Sequence, residues 1–391
     1  MLDARRPLPY DTVALVLQGG GALGAYQGGV VEGLQAAGLE PDWVAGISIG
    51  ALNTALIAGN PPETRVQRLR EFWQTICQPS PYLPPLEWAQ ALIEQASPTQ
   101  RQAFSAFEAW RAVCEGQSGF FRPRGLSPWL GGDQGIEHAS FYDTAALKQT
   151  LERFVDFDRV NHGPMRVSVG AVNVRNGNFI YFDNTAGPGK RALRAEHFMA
   201  SGALPPGFPA VEIDGEFYWD GGLVSNTPLA HVLESEPRQD TLVFQVDLWS
   251  AHGPLPRNVY DVQERMKDIQ YSSRTRAVTD ALAREQRYRR LLQELLACLP
   301  ADAPQRDAWC AEARQLAAQH QVNVIHLIYQ DKEWEGLAKD YEFSAQAMRE
   351  HWAAGLTDIE RTLAHASWLD RPPPDKAFVT HDLHRPRRGP R

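Results

Sequence analysis

A chain of 391 residues with 43% hydrophobic content is long enough for one large domain or two ordinary ones, each with a sizeable core. Its formal net charge of −8 offers no broad attraction for phosphate backbones or anionic headgroups, which argues against nucleic acid as a partner. Cys77, Cys114, Cys298 and Cys310 form no C-x-x-C pair, so neither a zinc site nor a disulfide framework is expected, and the thiols read as reduced and mostly buried.

Arg5 and Arg6 precede an apolar run that ends at Leu17, too short for a signal-peptide core. No stretch approaches the ~20 apolar residues of a membrane-spanning helix, and a soluble cytoplasmic protein is the expectation. Val13 to Leu17 reads as a buried strand, Gly19 to Gly21 as a turn, and Ala22 to Ala37 as a helix that Gly38 stops. Trp43 to Gly46 is a second strand, followed by the turn GISIG, residues 46–50, and a helix to about Ala58. Strand, turn and helix thus occur twice in succession. The alternation predicts parallel strands joined by right-handed crossovers, hence an α/β domain with its site at the carboxyl ends of the strands.

Arg65 to Gln78 is expected to be helical, and the Pro-rich stretch 79–85 opens a helical insertion over about residues 79–140, with its main helix near Leu86 to Glu115. Strands resume at Met165 to Val174 and Phe179 to Phe182, joined by Asn176-Gly177 as a hairpin turn. Phe217 to Trp219 and Thr241 to Leu248 are further strands, which places the end of the α/β domain near residue 255. Beyond it, long charged amphipathic helices are expected at Val259 to Leu299 and Ala303 to His320, then a strand at Val322 to Tyr329 and a helix from Ser344 to Leu369. This helical region, 256–370, is read as a surface for a protein partner or a second copy of the chain. The Pro- and Arg-rich tail 371–391 reads as disordered.

Two glycine turns carry the chemistry. Gly19 to Gly24 matches G-x-G-x-x-G after a strand and before a helix, the context of a dinucleotide site. That reading needs an acid at the carboxyl end of the next strand. Asp42 has the spacing but precedes Trp43, at the wrong end. In the competing reading GISIG is a nucleophile elbow: Ser48 sits on a tight strand-to-helix turn that demands the small neighbours Gly46 and Gly50. Gly19, Gly20 and Gly21, 27 positions before Ser48 when counted from Gly21, end the adjacent strand, and their successive N–H groups suit a developing oxyanion.

Serine needs a base. All eleven histidines follow Ser48, so a Ser, acid, His order stays open; His162, His231, His326, His381 and His384 have no convincing context, and His197, just before Ala200-Ser201-Gly202, is the one candidate. A desolvated carboxylate can serve instead, and Asp220 in FYWDGGLVSNTPL follows a strand and precedes Gly221-Gly222. An ordinary turn aspartate would have the same local sequence.

Taken together and in this order, GGGALGAYQGG, GISIG, ASGALPPGFPAVEIDG and DGGLVSNTPL resemble the patatin-like phospholipases over about residues 12–250. The resemblance implies a three-layer α/β/α fold with a mostly parallel central sheet, and a Ser-Asp dyad acting without histidine, metal or organic cofactor. It implies Ser48 as nucleophile, Asp220 as base, an oxyanion hole at Gly19, Gly20 and Gly21, and a serine acyl hydrolase acting on lipid esters through an acyl-enzyme. One departure is Leu23, where many members of that family carry Arg or Lys; it leaves backbone N–H groups as the main anion stabilisers and weakens the expectation of phosphate-bearing substrates. Two other functions compete with this one: a scaffold whose C-terminal half binds a partner while hydrolysis is slow, and a nicotinamide-nucleotide enzyme using Gly19 to Gly24. GFFRPRGLSPWLGG, residues 119–132, mixes Phe120, Phe121 and Trp129 with Arg122 and Arg124, as an interfacial loop or lid for peripheral membrane contact could, but an ordinary aromatic-anchored loop is the favoured reading.

Overall fold

The computed structural model describes residues 8–78, 96–125, 132–133, 135–185, 192–273, 275–299, 308–317, 320–373 and 378–384. The strands in chain order are β1 (Thr12–Leu17), β2 (Trp43–Gly46), β3 (Arg122–Pro123), β4 (Tyr142–Asp143), β5 (Arg166–Asn173), β6 (Phe179–Asp183), β7 (Val211–Ile213), β8 (Glu216–Asp220), β9 (Thr241–Asp247), β10 (Val322–Ile328) and β11 (Phe378–Asp382). All but β3 and β4 form one sheet in the order β11-β10-β9-β1-β2-β5-β8-β7, with β6 also paired to β5. Every pairing from β11 to β5 along this path is parallel, and β6, β7 and β8 add an antiparallel edge. The hairpin expected at Asn176-Gly177 is the β5–β6 connection.

Strand periodicity sends alternate residues of β1 to opposite faces of the sheet. Val13, Leu15 and Leu17 join the core with α1 (Ala25–Ala36), α2 (Ile49–Ala58), α3 (Pro62–Ile76) and the helix Ala345–Leu363. Ala14 and Val16 join a second core with Leu229, Val232 and Leu233 of the helix Leu229–Glu234, against which Val278 packs. The fold is therefore α/β/α: an α/β domain with parallel strands, as the alternation of elements foretold, in the three layers that the resemblance implied.

The sequence divides the chain near residue 255, but the sheet runs across that point. β10 pairs with β9 along its whole length, and β11 pairs with β10, so the region expected to be a helical appendage and the tail behind it each supply a strand of the same sheet. The reason lies in Val322 to Ile328, a nearly continuous apolar run of the kind that is stable only between neighbours. Part of the expected disordered tail is β11, which the surrounding Pro and Arg conceal from pattern reading.

The helix Ala345–Leu363 lies against α1 at backbone contact. A methyl group on Gly29 would overlap the Trp352 carbonyl, one on Gly355 would overlap the Tyr26 carbonyl, and Gly33 accommodates Ile359. Tyr26 Oη donates to Asp358 Oδ2 at 2.9 Å across the same seam.

Other expectations are redrawn by the tertiary structure. The helix expected over Val259 to Leu299 stops at Tyr271, whose carbonyl accepts from the side chains of Gln18 at 3.1 Å and Asn226 at 2.9 Å, and resumes at Thr275. Before that break it leaves Val259, Val262, Met266 and Ile269 exposed. In the insertion the helix Pro98–Glu115 begins at a Ser97/Gln100 capping box; residues 79–95 lie outside the described part. Cys77 and Cys310 are buried and Cys114 and Cys298 exposed, all four free, so only half match the buried expectation.

Candidate active site

β2 ends at Gly46 and α2 starts at Ile49, so two residues must reverse the chain. Ser48 does so with φ 56° and ψ −125°, a conformation that costs a non-glycine residue about 1–3 kcal/mol. Such strain persists only where the surroundings enforce it. Gly46 and Gly50 leave no room for a methyl group: one on Gly46 would strike the Gly50 carbonyl, and one on Gly50 the Leu17 carbonyl. The Ser48 N–H donates to Ser201 Oγ at 3.0 Å, and Ser201 Oγ donates to the Gly170 carbonyl at 2.6 Å, which ties the elbow to β5. The result is a side chain aimed away from the sheet at the N-terminus of α2.

β8 delivers the partner. Asp220 is its last residue, and Ser48 Oγ donates to Asp220 Oδ2 at 2.6 Å. The other oxygen, Oδ1, accepts from the Gly222 N–H at 2.6 Å, which Gly221 permits by passing close to the Gly170 carbonyl. Asp220 is 2% exposed. Burial pushes its pKa up to about 7, against the lowering effect of the Ser48 hydroxyl and the Gly222 N–H.

That shift has a consequence for stability. The folded chain keeps a proton on Asp220 between about pH 4 and 7 that the unfolded chain releases, so the unfolded state binds fewer protons and stability falls as pH rises through this window. Asp220→Asn removes the effect. Denaturant titrations are expected to show Asn gaining on Asp by ~2–3 kcal/mol between pH 5 and pH 8. Parallel stability curves for the two proteins would refute the desolvated carboxyl.

Gly19, Gly20 and Gly21 run past Ser48 at the end of β1. Gly19 is committed: its N–H donates to the Asn226 carbonyl at 3.3 Å, and its carbonyl accepts from Asn226 Nδ2 at 3.0 Å and Trp249 Nε1 at 2.9 Å. Among the described residues no acceptor meets the N–H groups of Gly20 and Gly21. Gly21 has φ 55°, and the Asp340 carbonyl lies where its side chain would be. Leu23, in the turn that follows, faces the core and does not border the cavity.

Ser48 and Asp220 open into a cavity of about 90 Å³. Phe120, Phe121, Phe208 and Phe343 form one aromatic wall: Phe120 and Phe121 touch each other and both Phe208 and Phe343, at 5.2–6.2 Å between ring centres. Phe120 and Phe121 are buried here, as an aromatic-anchored loop requires and an interfacial loop does not; Arg122 is exposed, Arg124 donates to Ser140 Oγ at 3.1 Å, and Trp129 lies outside the described residues. The volume is small beside the roughly 300–1,000 Å³ of most ligand sites, so a long acyl chain must project from the mouth or part this wall.

The roof comes from the far end of the chain. Asp340, Tyr341 and Phe343 line the cavity, and Asp340 Oδ1 accepts from Lys267 Nζ at 2.5 Å. Next to it, buried Lys339 donates to Asp268 Oδ1 at 2.9 Å and Asp331 Oδ2 at 2.7 Å. Burial raises the Asp340 pKa, with Lys267 opposing.

None of the eleven histidines bonds to Ser48 or Asp220. His197 closes the first turn of the helix Ala195–Ser201 by accepting from the Arg194 N–H at 3.0 Å, stacks edge-on against Phe182, and is pushed down to about 4 by burial. His231 stacks on Tyr181, and His326 bonds Asp247 at 2.6 Å. Asp42 caps the amino end of the sheet by accepting from the Val13 N–H at 2.8 Å, far from where a nucleotide ribose would lie. Among the described residues no group of three or more His, Cys, Asp or Glu is placed to hold a metal, and no helix is long and apolar enough to cross a membrane.

Ser201 and Asn226 belong to recognisable motifs, yet their sequence context gives them no role. Trp249, Tyr271 and Asp340 carry no local signal at all; only the tertiary structure brings them to the glycine loop.

A family model described as patatin-like phospholipase matches residues 15–233, and a second described as patatin phospholipase matches residues 269–375. The mouse and human proteins named patatin-like phospholipase domain-containing protein 6 are 46% identical over 68 residues, 17% of this chain. The aligned part is 5% of the length of those relatives. Among solved structures, VipD from Legionella pneumophila is similar at TM-score 0.36 and 14% identity, over 90% of this chain and 67% of that one. Human GIVD cytosolic phospholipase A2 is similar at TM-score 0.39 and 12% identity, over 92% and 59%.

Proposed function

Since the chain belongs to the patatin-like phospholipase family of lipid hydrolases, we propose that it cleaves carboxylic esters of lipids with Ser48 as nucleophile and Asp220 as general base. The observation that carries the proposal is the 2.6 Å contact between Ser48 Oγ and the buried Asp220 Oδ2. Asp220 takes the hydroxyl proton as Ser48 attacks the ester carbonyl, and the N–H groups of Gly20 and Gly21 receive the negative charge that develops on oxygen. Because the Gly19 N–H is already engaged, it holds the loop and the next two residues supply the donors. The proton passes from Asp220 to the departing alcohol and leaves an acyl group on Ser48. A water then enters, Asp220 takes its proton as it attacks the acyl carbonyl, and that proton passes to Ser48 Oγ as the C–O bond to serine breaks and the acid is released.

Labelling the wild-type protein with a fluorophosphonate and locating the adduct by mass spectrometry tests the nucleophile; an adduct anywhere but Ser48 sinks the proposal. The pH profile tests the base. Only the ionised carboxylate accepts a proton, so kcat/KM for a p-nitrophenyl ester is expected to rise with pH, reach half its limit near the carboxyl pKa of about 7, and stay flat above it. A limb with its midpoint near pH 4 would mean that Asp220 is not desolvated during catalysis.

A further inference from the structure

Gly20 lies beyond Leu17, the last residue of β1, so strand pairing does not set the direction of its N–H. A peptide unit is planar and trans, and its C=O and N–H point opposite ways. Whatever holds the Gly19 carbonyl therefore aims the Gly20 N–H. Two side chains hold it: Asn226 Nδ2 donates at 3.0 Å and Trp249 Nε1 at 2.9 Å, one for each lone pair of the oxygen. On the other side of the same peptide, the Gly20 N–H meets no acceptor among the described residues, and Gly20 lines the cavity with Ser48.

The glycines make room for these two side chains. A methyl group on Gly19 would lie 2.3 Å from Asn226 Oδ1, and one on Gly20 would lie 3.1 Å from Trp249 Nε1. Both side chains are anchored in turn. Asn226 accepts from the Gly19 N–H at its carbonyl, at 3.3 Å, and its Nδ2 also donates to the Tyr271 carbonyl at 2.9 Å. Trp249 is 3% exposed, and its backbone N–H donates to Gln18 Oε1 at 3.0 Å. Gln18 Nε2 donates to that same Tyr271 carbonyl at 3.1 Å, which closes the ring of bonds around one peptide. We infer that Asn226 and Trp249 are positioning residues for ester cleavage: they orient the Gly19–Gly20 peptide so that the Gly20 N–H meets the developing oxyanion. The inference rests on Ser48 and Asp220 being the catalytic pair. A donor aimed in advance acts on the transition state more than on the bound substrate, so its loss belongs in kcat and not in KM.

Asn226→Ala and Trp249→Phe each remove one of the two donors to the Gly19 carbonyl, and Phe keeps an aromatic ring in place. In each, checked for native circular dichroism, kcat for p-nitrophenyl butyrate is expected to fall about 10–100-fold, with KM within about threefold of wild type. The midpoint of the kcat/KM pH profile is expected to stay where the wild type has it, because Asp220 keeps its own partners. A trifluoromethyl ketone reports the oxyanion directly: Ser48 Oγ adds to its carbonyl carbon and passes its proton to Asp220, which leaves a tetrahedral alkoxide. Affinity for this ketone is expected to fall by the same factor as kcat/KM. Turnover within about threefold of wild type in a folded variant overturns the role of that residue. Lost turnover with unchanged ketone affinity, or with a displaced pH midpoint, overturns it as well, since the defect then lies away from the oxyanion. If Asn226→Ala does not fold, Trp249→Phe decides for the peptide. Wild-type turnover that survives in Ser48→Ala removes the catalytic reading itself, whatever these two variants do.

Discussion

Asp220→Asn is expected to lower kcat for any ester by about 10⁴-fold or more while leaving the fold intact. Asparagine matches aspartate in size, and its amide oxygen can still accept one of the two hydrogen bonds that Ser48 Oγ and the Gly222 N–H now make. What it cannot do is take a proton. Ser48→Ala is expected to fall to the same floor and to lose fluorophosphonate labelling altogether, and the double variant to fall no further, because nucleophile and base act as one unit. His197→Gln is the discriminating control. It removes the one histidine that local sequence context leaves as a rival, from a position where the ring caps a helix and packs on Phe182. Retained turnover in this variant, alongside the collapse of the other two, assigns the proton transfer to the carboxylate. A collapse in folded His197→Gln with activity kept in Asp220→Asn would reverse the assignment.

A chain ended after Pro256 is expected to be insoluble or unfolded, and a compact active hydrolase of that length would contradict a sheet that runs across residue 255. Removing residues 257–391 strips β10 from β9 and leaves a fully buried seven-residue strand as a bare edge, which templates aggregation. It also uncovers the face of α1 that Trp352, Gly355 and Ile359 cover, and deletes the Asp340 roof over the glycine loop. The same dependence is accessible to a single substitution. In Gly355→Val the new Cβ meets the Tyr26 carbonyl, a backbone atom that cannot swing aside, so the helices must separate along their seam. The expected loss is ~3 kcal/mol or more by denaturant titration, against little change for Glu360→Gln on the exposed side of the same helix.

Most of what surrounds Ser48 is legible in the amino-acid sequence alone, because the elbow, the glycine turn and the Asp-Gly-Gly turn are each written in consecutive residues. A strand that must reverse within two positions needs glycine on either side, and Gly46 and Gly50 state that need locally. Pairing between distant segments is not written locally. The strand Val322 to Ile328 is recognisable as buried, yet nothing near it says that its neighbour is Thr241 to Asp247. Because it follows long amphipathic helices, its context points to an appendage. Phe120 and Phe121 are ambiguous for a related reason: two aromatics beside arginines fit an interfacial loop as well as a wall, and only Phe208 and Phe343, far along the chain, decide for the wall. Asp340 gives no signal because its importance comes from lying across Gly21.

The sheet order also bears on how the molecule is assembled. β1, made before the other strands described here, ends up between β2 and β9, and β9 in turn between β1 and β10. A nascent chain therefore carries a strand, apolar from Val13 to Leu17, whose second edge stays open until residue 241 has been made, and whose neighbour stays open until residue 322. Contacts of such sequence separation are slow to close, and the intermediate displays the surfaces that aggregate. Ser48 and Asp220 both leave the ribosome while those edges are still unpaired. Production of this protein is therefore expected to depend on translation rate and on chaperones that shield open strand edges.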